Sequence, residues 1–168
     1  MSARPLSSGQ LAIVALLAAW LGATIIVGAV VAPAAFAVLP SRTLAGVLVG
    51  RVLPPLFWSG AVVGLLAAIV VRRSQRLALV AALVIAAASL VAQLVVTPRI
   101  ETARASAGGP IDALARDDSR RIAFGRLHGA SVALLGLAGI AASVTLLLTA
   151  RGAPDASPLT IRETHHHG

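Results

Sequence analysis

Ionisable and polar side chains cluster around the start of the last apolar segment. Arg126 and His128 lie two residues apart, and Phe124 and Ser131 flank them. On a helix, steps of three and four residues place Phe124, His128 and Ser131 on one face. An imidazole at such a boundary can bind a metal, gate a site or contact a ligand. The alternative is a structural histidine that hydrogen-bonds the end of a neighbouring helix.

The sequence lacks the residues that most other kinds of catalytic or metal site require. The chain has no cysteine, which excludes disulfides, thiolate ligands and cysteine nucleophiles. A zinc site takes three or four protein ligands, and the apolar segments contain one histidine. No nucleophile elbow, phosphate-binding loop or pair of carboxylates occurs in an apolar segment. We therefore expect no enzyme, no metal and no cofactor, and we interpret His165–His167 as a solvated tail or a tag remnant.

The composition indicates a membrane protein. Hydrophobic residues make up 58% of the 168-residue chain and charged residues 12%, and the mean hydropathy is +0.92. A soluble domain carries about twice that share of charge, because its surface must meet water. This composition excludes a soluble enzyme, a disordered chain and an ordinary nucleic-acid-binding domain. The 14 basic residues are all arginines at the ends of apolar stretches, so we expect them to contact membrane lipids and not nucleic acid.

Four apolar stretches are long enough to cross a bilayer core, which takes about 20 helical residues. None of them alternates polar and apolar residues with a period of two, which excludes a barrel of half-polar strands. We therefore predict an all-α, polytopic bundle of four transmembrane helices. The predicted spans cover residues 11–38, 53–71, 77–96 and 127–149.

The segments outside these spans differ in character. Residues 1–10 form an N-terminal tail, and the first span is too long for a signal peptide, so we expect it to be retained. Residues 97–126 form a polar loop, within which the stretch from Ile111 to Arg121 is predicted to be helical. Residues 150–168 contain glycine, proline and serine and are predicted to be a disordered C-terminal tail.

The connection between the first two spans predicts a short helix lying at the membrane interface. Arg42 and Arg51 flank an apolar middle there, as in an amphipathic interfacial segment. Pro54 and Pro55 then predict a kink at the start of the second span, because proline removes a backbone donor and clashes with the preceding turn.

The arginine distribution predicts the orientation. An even number of spans places both termini on one side, together with the tight turn that carries Arg72, Arg73 and Arg76. Because short cytoplasmic loops are rich in basic residues, we expect the termini in the cytoplasm. Abundant alanine and arginine without lysine favour a bacterial source, and hence the cytoplasmic (inner) membrane.

The spans are nearly free of charge. Ion- and proton-coupled transporters place ionisable groups in the membrane, and these spans hold no aspartate, glutamate or lysine. Gln93 is the most polar side chain near the middle of a span, and we expect it to form an interhelical hydrogen bond. Pairs of small residues four apart, such as Gly60 and Gly64, favour a tightly packed bundle.

Several short motifs follow one another in order over residues 11–149. They are Trp20-Leu21-Gly22, Ala32-Pro33, Phe36, Leu39-Pro40-Ser41-Arg42, Ala45-Gly46 with Arg51 and Pro54, Pro98-Arg99-Ile100, and Phe124-Gly125-Arg126-Leu127-His128-Gly129 with Ser131. In these motifs the chain resembles the transmembrane protein 205-like family, also called domain of unknown function 4149. Members often have an asparagine where this chain has Leu134-Leu135-Gly136. The resemblance implies a four-span membrane protein without an established molecular activity.

The working hypothesis is a polar cluster at one membrane surface that binds a lipid headgroup, a small solute or a partner protein. Arginines from the first and third connections would meet His128 at that surface. The candidate residues are Arg51, Pro98, Arg99, Phe124, Arg126, His128 and Ser131. Two alternatives belong to other classes. One is a small oligomeric channel or transporter, and the other is a structural or assembly subunit of a membrane complex, so a second copy or another membrane protein is a possible partner.

Overall fold

The fold is a bundle of four long helices. The computed structural model describes residues 6–71 and 75–151, and these residues contain no strand. The helices are α1, Ser8–Val38; α2, Arg42–Val70; α3, Arg76–Ser106; and α4, Ser119–Ala150. Each is apolar enough and long enough to cross a membrane, which confirms the all-α, four-span prediction. The predictions for Arg72, Arg73 and His165–His167, and for nearly all of the C-terminal tail, concern residues outside the described ranges.

Side-chain caps fix three of the helix starts. Ser7 and Gln10 form a capping box, in which the Gln10 amide donates to Ser7 Oγ at 3.3 Å and the Ser7 amide donates to Gln10 Oε1 at 3.0 Å. Ser41 Oγ accepts from the Leu44 amide at the start of α2. Asp118 caps α4 by accepting from the Arg120 amide at 2.8 Å. These caps satisfy N–H groups that have no partner within their helices.

The predicted interfacial helix between the first two spans is not a separate element. Its residues are helical, but α2 runs without interruption from Arg42 through Pro54 and Pro55 to Val70. The apolar middle of the segment is occupied by packing, because Ala45 and Val49 form a small core with Ala35 of α1. That contact holds one side of the segment against α1, whereas Leu44, Val47 and Leu48 stay exposed on its other side.

The predicted polar loop before the last span is also largely helical. α3 continues to Ser106, and α4 begins at Ser119. The helix predicted from Ile111 to Arg121 is wrong over residues 111–118, where a short 3₁₀ turn covers Ile111–Ala113 and the α-helix starts only after Asp118. Hydropathy identifies the apolar part of a helix that crosses the membrane. It does not identify the polar helical turns that continue the same helix beyond the apolar part.

Two π-helical turns precede prolines in α1 and α3. The turns cover Val27–Val31 and Ala92–Val96, and Pro33 and Pro98 each follow two residues later. Proline has no N–H for the carbonyl four residues earlier, and its ring clashes with that carbonyl. A widened turn relieves the clash, so both helices continue past their prolines. Both turns lie toward the end of the bundle where α1 and α3 end.

The Gln93 prediction is wrong. Gln93 lies inside the second π-helical turn, and its buried Oε1 has no hydrogen-bond partner among the described residues. The widened turn displaces the side chain from the register that an undistorted helix would give it. No interhelical hydrogen bond from Gln93 forms in this part of the chain.

The bundle core is built from close helix contacts. The Trp20 indole N–H donates to the Leu56 carbonyl at 3.0 Å and joins α1 to α2. A Cβ atom added to Gly64 would lie 2.6 Å from the Ala86 backbone nitrogen, so α2 and α3 touch backbone to backbone there. The outer surface is apolar instead of polar, with Ile69 79% exposed and Ile140 68% exposed. Such a surface suits lipid chains, and the protein is therefore a multi-pass membrane protein.

Candidate functional site

A cavity of about 540 Å³ opens at the end of the bundle where α1 and α3 end and α2 and α4 begin. The first half of α2, the end of α3 and the start of α4 form its walls. Residues 109–112 of the connection between α3 and α4 close part of it, and Phe36 of α1 lies at its edge. Its volume lies within the range of small-molecule binding pockets.

Arg104, near the end of α3, is the central polar side chain of this cavity. Its Nη2 donates to the carbonyl oxygen of Gly46 at 3.0 Å, and its Nη1 lies 3.5 Å from Glu101 Oε1. The guanidinium carbon lies 5.5 Å from the centroid of the Phe124 ring, a cation–π distance. Three helices therefore position one guanidinium, and its side chain is only 26% exposed.

Two glycines of α2 make room for the guanidinium. A Cβ atom on Gly50 would lie 3.0 Å from Arg104 Nη1, and one on Gly46 would lie 3.7 Å from Nη2. The first distance is tighter than an ordinary contact, whereas the second is ordinary. Because Pro54 has no N–H, the carbonyl of Gly50 also lacks its usual partner within the helix. This wall of the cavity therefore presents both space and a backbone acceptor.

Phe124, His128 and Ser131 line the cavity from α4, on the shared face that their spacing predicts. The rings of Phe124 and His128 stack with centroids 6.3 Å apart and an interplanar angle of 6°. Ser131 is buried, whereas His128 is exposed. Phe36 is also an exposed lining residue, so the rim of the cavity includes side chains from α1 and α4.

The cavity has a charged end and an apolar end. Arg42, Glu101 and Asp112 line it at the surface of the bundle and are exposed. Leu53 and the buried Phe57 line it deeper in the bundle. Arg42 and Phe57 are separated by about 22 Å of helix, from the rise per residue of α2. The lining therefore runs further along α2 than along α3 or α4, and the exposed charged groups lie toward one end of it.

The remaining predicted site residues do not line the cavity. Arg51, Pro98, Arg99 and Arg126 are all exposed. Arg51 follows Gly50 by one residue and therefore faces about 100° away around α2. Arg99 instead lines a separate shallow groove between α3 and α4, together with Arg120. The predicted cluster combined three arginines with His128. Of these four side chains, His128 lines the cavity and the three arginines do not.

Arg104 and the two glycines are the site residues that the sequence analysis missed. Thr97, Glu101 and Arg104 follow one another at steps of four and three and all line the cavity. That helical spacing was readable, but the residues fall in the segment that was predicted to be a polar loop. The described residues contain no group of three or more histidine, cysteine or acidic side chains placed to hold a metal ion.

The Asp118 carboxylate, which caps α4, is held by hydrogen bonds from Arg120 and lies outside the cavity. Arg120 donates from Nε and Nη2 to the two oxygens of Asp118, at 3.0 and 2.7 Å. The Arg120 hydrogen bonds lower the pKa of Asp118 from 3.8 to about 2. Asp118 therefore stays ionised, and its charge favours the N-terminus of α4.

Fold and site together define a multi-pass membrane protein with a largely apolar, arginine-containing cavity at one end of a four-helix bundle. The family model described as Domain of unknown function (DUF4149) matches residues 15–108, which is more than half of the chain. The chain therefore belongs to the DUF4149 family. The match includes the α2 and α3 walls of the cavity and ends before Phe124. No curated protein and no solved structure matches the chain. The transmembrane protein 205-like name stays a prediction.

Proposed function

We propose that this protein is a non-enzymatic binding protein of the cytoplasmic membrane, whose cavity holds the anionic group of a ligand against Arg104. A lipid headgroup and a small solute both carry such a group. The observation that supports this proposal is the position of the Arg104 guanidinium, three-quarters shielded from solvent within a largely apolar cavity. Placing an arginine there is costly unless its charge is paired.

The contacts that Arg104 makes within the described residues do not use all of its N–H donors. A guanidinium has five N–H donors in a planar fork. Gly46 accepts one hydrogen bond, and Glu101 lies 3.5 Å away, longer than a charge-assisted hydrogen bond of about 2.8 Å. Glu101 itself is 62% exposed, so water weakens that pair. A carboxylate or phosphate oxygen pair entering the cavity would complete the fork in the bidentate geometry that arginine prefers.

The proposed orientation places the cavity on the side opposite the cytoplasm. The turn between α2 and α3 carries three arginines in the sequence, and it lies at the other end of the bundle. If that turn is cytoplasmic, as the positive-inside rule predicts, the cavity end faces outward. The oligomeric channel and the assembly subunit stay alternatives from the sequence, and a second copy or a membrane partner stays a possible partner.

The test compares two arginines near the end of α3. The purified protein in nanodiscs is examined by native mass spectrometry for retained small molecules, as wild type, Arg104→Gln and Arg99→Gln. Arg99 is the matched control, because it is exposed and lines no part of the cavity. We expect the wild type and Arg99→Gln to retain the same ligand and Arg104→Gln to lose it. Equal retention in all three proteins, or no ligand in the wild type, would contradict the proposal.

A second variant separates ligand binding from folding. Gly46→Leu keeps Arg104 and adds an apolar side chain in the cavity, at a position where a first added carbon makes only an ordinary contact. Leucine is also a better helix former than glycine, so α2 is expected to fold. We expect loss of the ligand from a variant that still unfolds cooperatively, with a melting temperature lowered only by the missing ligand. Ligand retention in a folded Gly46→Leu protein would show that the ligand lies elsewhere.

A further inference from the structure

The geometry points to a single-chain amphiphile with a carboxylate head, bound with its head at Arg104 and its chain running toward Phe57. This inference rests on the proposed function and names the ligand class of the same cavity. A long-chain carboxylate combines the two features that the cavity presents at its two ends. A small hydrophilic solute would use only the charged end.

The shape of the cavity supports a chain-like ligand. Its lining follows α2 from Arg42 to Phe57, about 22 Å of helix, and covers residues 97–104 of α3 and 124–131 of α4, about 10 Å of each. The α2 wall is therefore long enough for an extended chain that runs from the level of Arg104 toward Phe57. Leu53 and Phe57 supply apolar contact at the deep end.

The head position follows from the hydrogen-bond geometry of Arg104. The Gly46 carbonyl holds one Nη donor at the level of the first two turns of α2, so the guanidinium lies nearer the surface end than Phe57 does. Its planar fork fits a carboxylate bidentately. Glu101 and Asp112 balance the charges of Arg42 and Arg104 at this end, so the preference for a carboxylate rests on the fork of Arg104 donors and not on net charge.

The rim supports access from the membrane. Phe36 is 48% exposed, and the other exposed ring at the rim belongs to His128, which stacks on Phe124. Aromatic and imidazole rings combine an apolar body with a polar edge, which suits the boundary between chain and headgroup. The inferred route for an amphiphile already in the bilayer passes these two rings.

The first experiment compares head groups at constant chain length. Hexadecanoate, its methyl ester and hexadecylamine are added at equal mole fraction to phosphatidylcholine nanodiscs holding the full chain, at alkaline pH, and bound copies are counted by native mass spectrometry. We expect hexadecanoate to be retained about tenfold or more above its ester, because a charge-assisted hydrogen bond to arginine supplies the difference. Arg104→Gln should remove this preference, and Arg99→Gln should keep it.

The second experiment tests orientation. Hexadecanoate with a diazirine at its terminal carbon is photo-crosslinked in the same nanodiscs, and the labelled peptides are mapped. Labelling at Leu53 or Phe57 that is lost in Arg104→Gln supports the inference. Labelling spread over lipid-facing residues such as Ile69, and unchanged in Arg104→Gln, would overturn it. If a different anionic molecule is retained in an Arg104-dependent manner while hexadecanoate is not, the carboxylate inference fails and the proposed function stands.

Discussion

Arg104 Nη2 donates a hydrogen bond to the carbonyl oxygen of Gly46 at 3.0 Å, which joins the end of α3 to the start of α2. The two residues are 58 positions apart in the sequence, so the bond forms only when the two helices lie side by side. It fixes a cation in the wall of a cavity whose deeper lining is apolar. The proposed function depends on this arrangement.

The space that Gly50 leaves for Arg104 predicts a selective effect on binding. In Gly50→Val, the added side chain would force the guanidinium away from its position, because a Cβ there already lies 3.0 Å from Nη1. We expect at least a severalfold loss of ligand retention without loss of folding, since valine is no worse than glycine in a helix. Gly46→Ala is the control, with an added carbon at the ordinary distance of 3.7 Å. Equal ligand retention by Gly50→Val and wild type would argue against the guanidinium as the binding group.

The contact between α2 and α3 predicts a stability effect remote from the cavity. Gly64→Ala places a Cβ 2.6 Å from the Ala86 backbone nitrogen and 2.9 Å from the Ala82 carbonyl oxygen, neither of which can move alone. We expect a loss of about 1–3 kcal/mol in the free energy of unfolding, as in other overpacked cores. Gly136→Ala meets no described atom within 4 Å and should be neutral or slightly stabilising. Denaturation in mild detergent measures both variants.

The two tryptophans predict unequal consequences of the same substitution. Trp20 is 4% exposed and donates to the Leu56 carbonyl, whereas Trp58 is 47% exposed. We expect Trp20→Phe to lower the free energy of unfolding by about 1–2 kcal/mol, through the lost hydrogen bond and the smaller ring. The Ser59 hydroxyl also donates to Leu56, which limits the loss. Trp58→Phe should change stability little. A larger effect at Trp58 would contradict the packing described for α1 and α2.

The cap of α4 predicts a pH dependence with a defined sign. The pKa of Asp118 is lowered from 3.8 to about 2 by its hydrogen bonds from Arg120, so its stabilising contribution is fully present above about pH 4. That contribution is lost as the pH falls through 2. Asp118→Asn keeps a capping oxygen without a titrating charge and should flatten this part of the stability curve. Melting temperatures of both proteins between pH 2 and 5 provide the comparison, and parallel curves would show that Asp118 does not titrate in this way.

The parts of the fold that depend on local pattern could be predicted from the sequence. Hydropathy identified four spans because a helix that crosses the bilayer pairs its backbone N–H and C=O groups internally and presents apolar side chains to the lipid. Helical spacing alone placed Phe124, His128 and Ser131 on one face, and all three line the cavity. Neither inference needed knowledge of how the helices pack.

The centre of the site depends on packing and escaped prediction. The third span was predicted to end at residue 96, where the apolar stretch ends, but α3 continues through the π-helical turn at Ala92–Val96 to Arg104 and beyond. The pairing of Arg104 with Gly46 is then set by the side-by-side packing of two helices, which no local pattern encodes. Arg51, Arg99 and Arg126 were chosen for their charge, but their helical registers turn them outward.

A crystal structure of the protein purified from its own membranes and grown in a lipidic mesophase tests the central claim most directly. The account predicts non-protein density in the cavity, with two ligand oxygens within about 3 Å of the Arg104 guanidinium. An empty or collapsed cavity, with Arg104 satisfied by Glu101 and Gly46 alone, would contradict it.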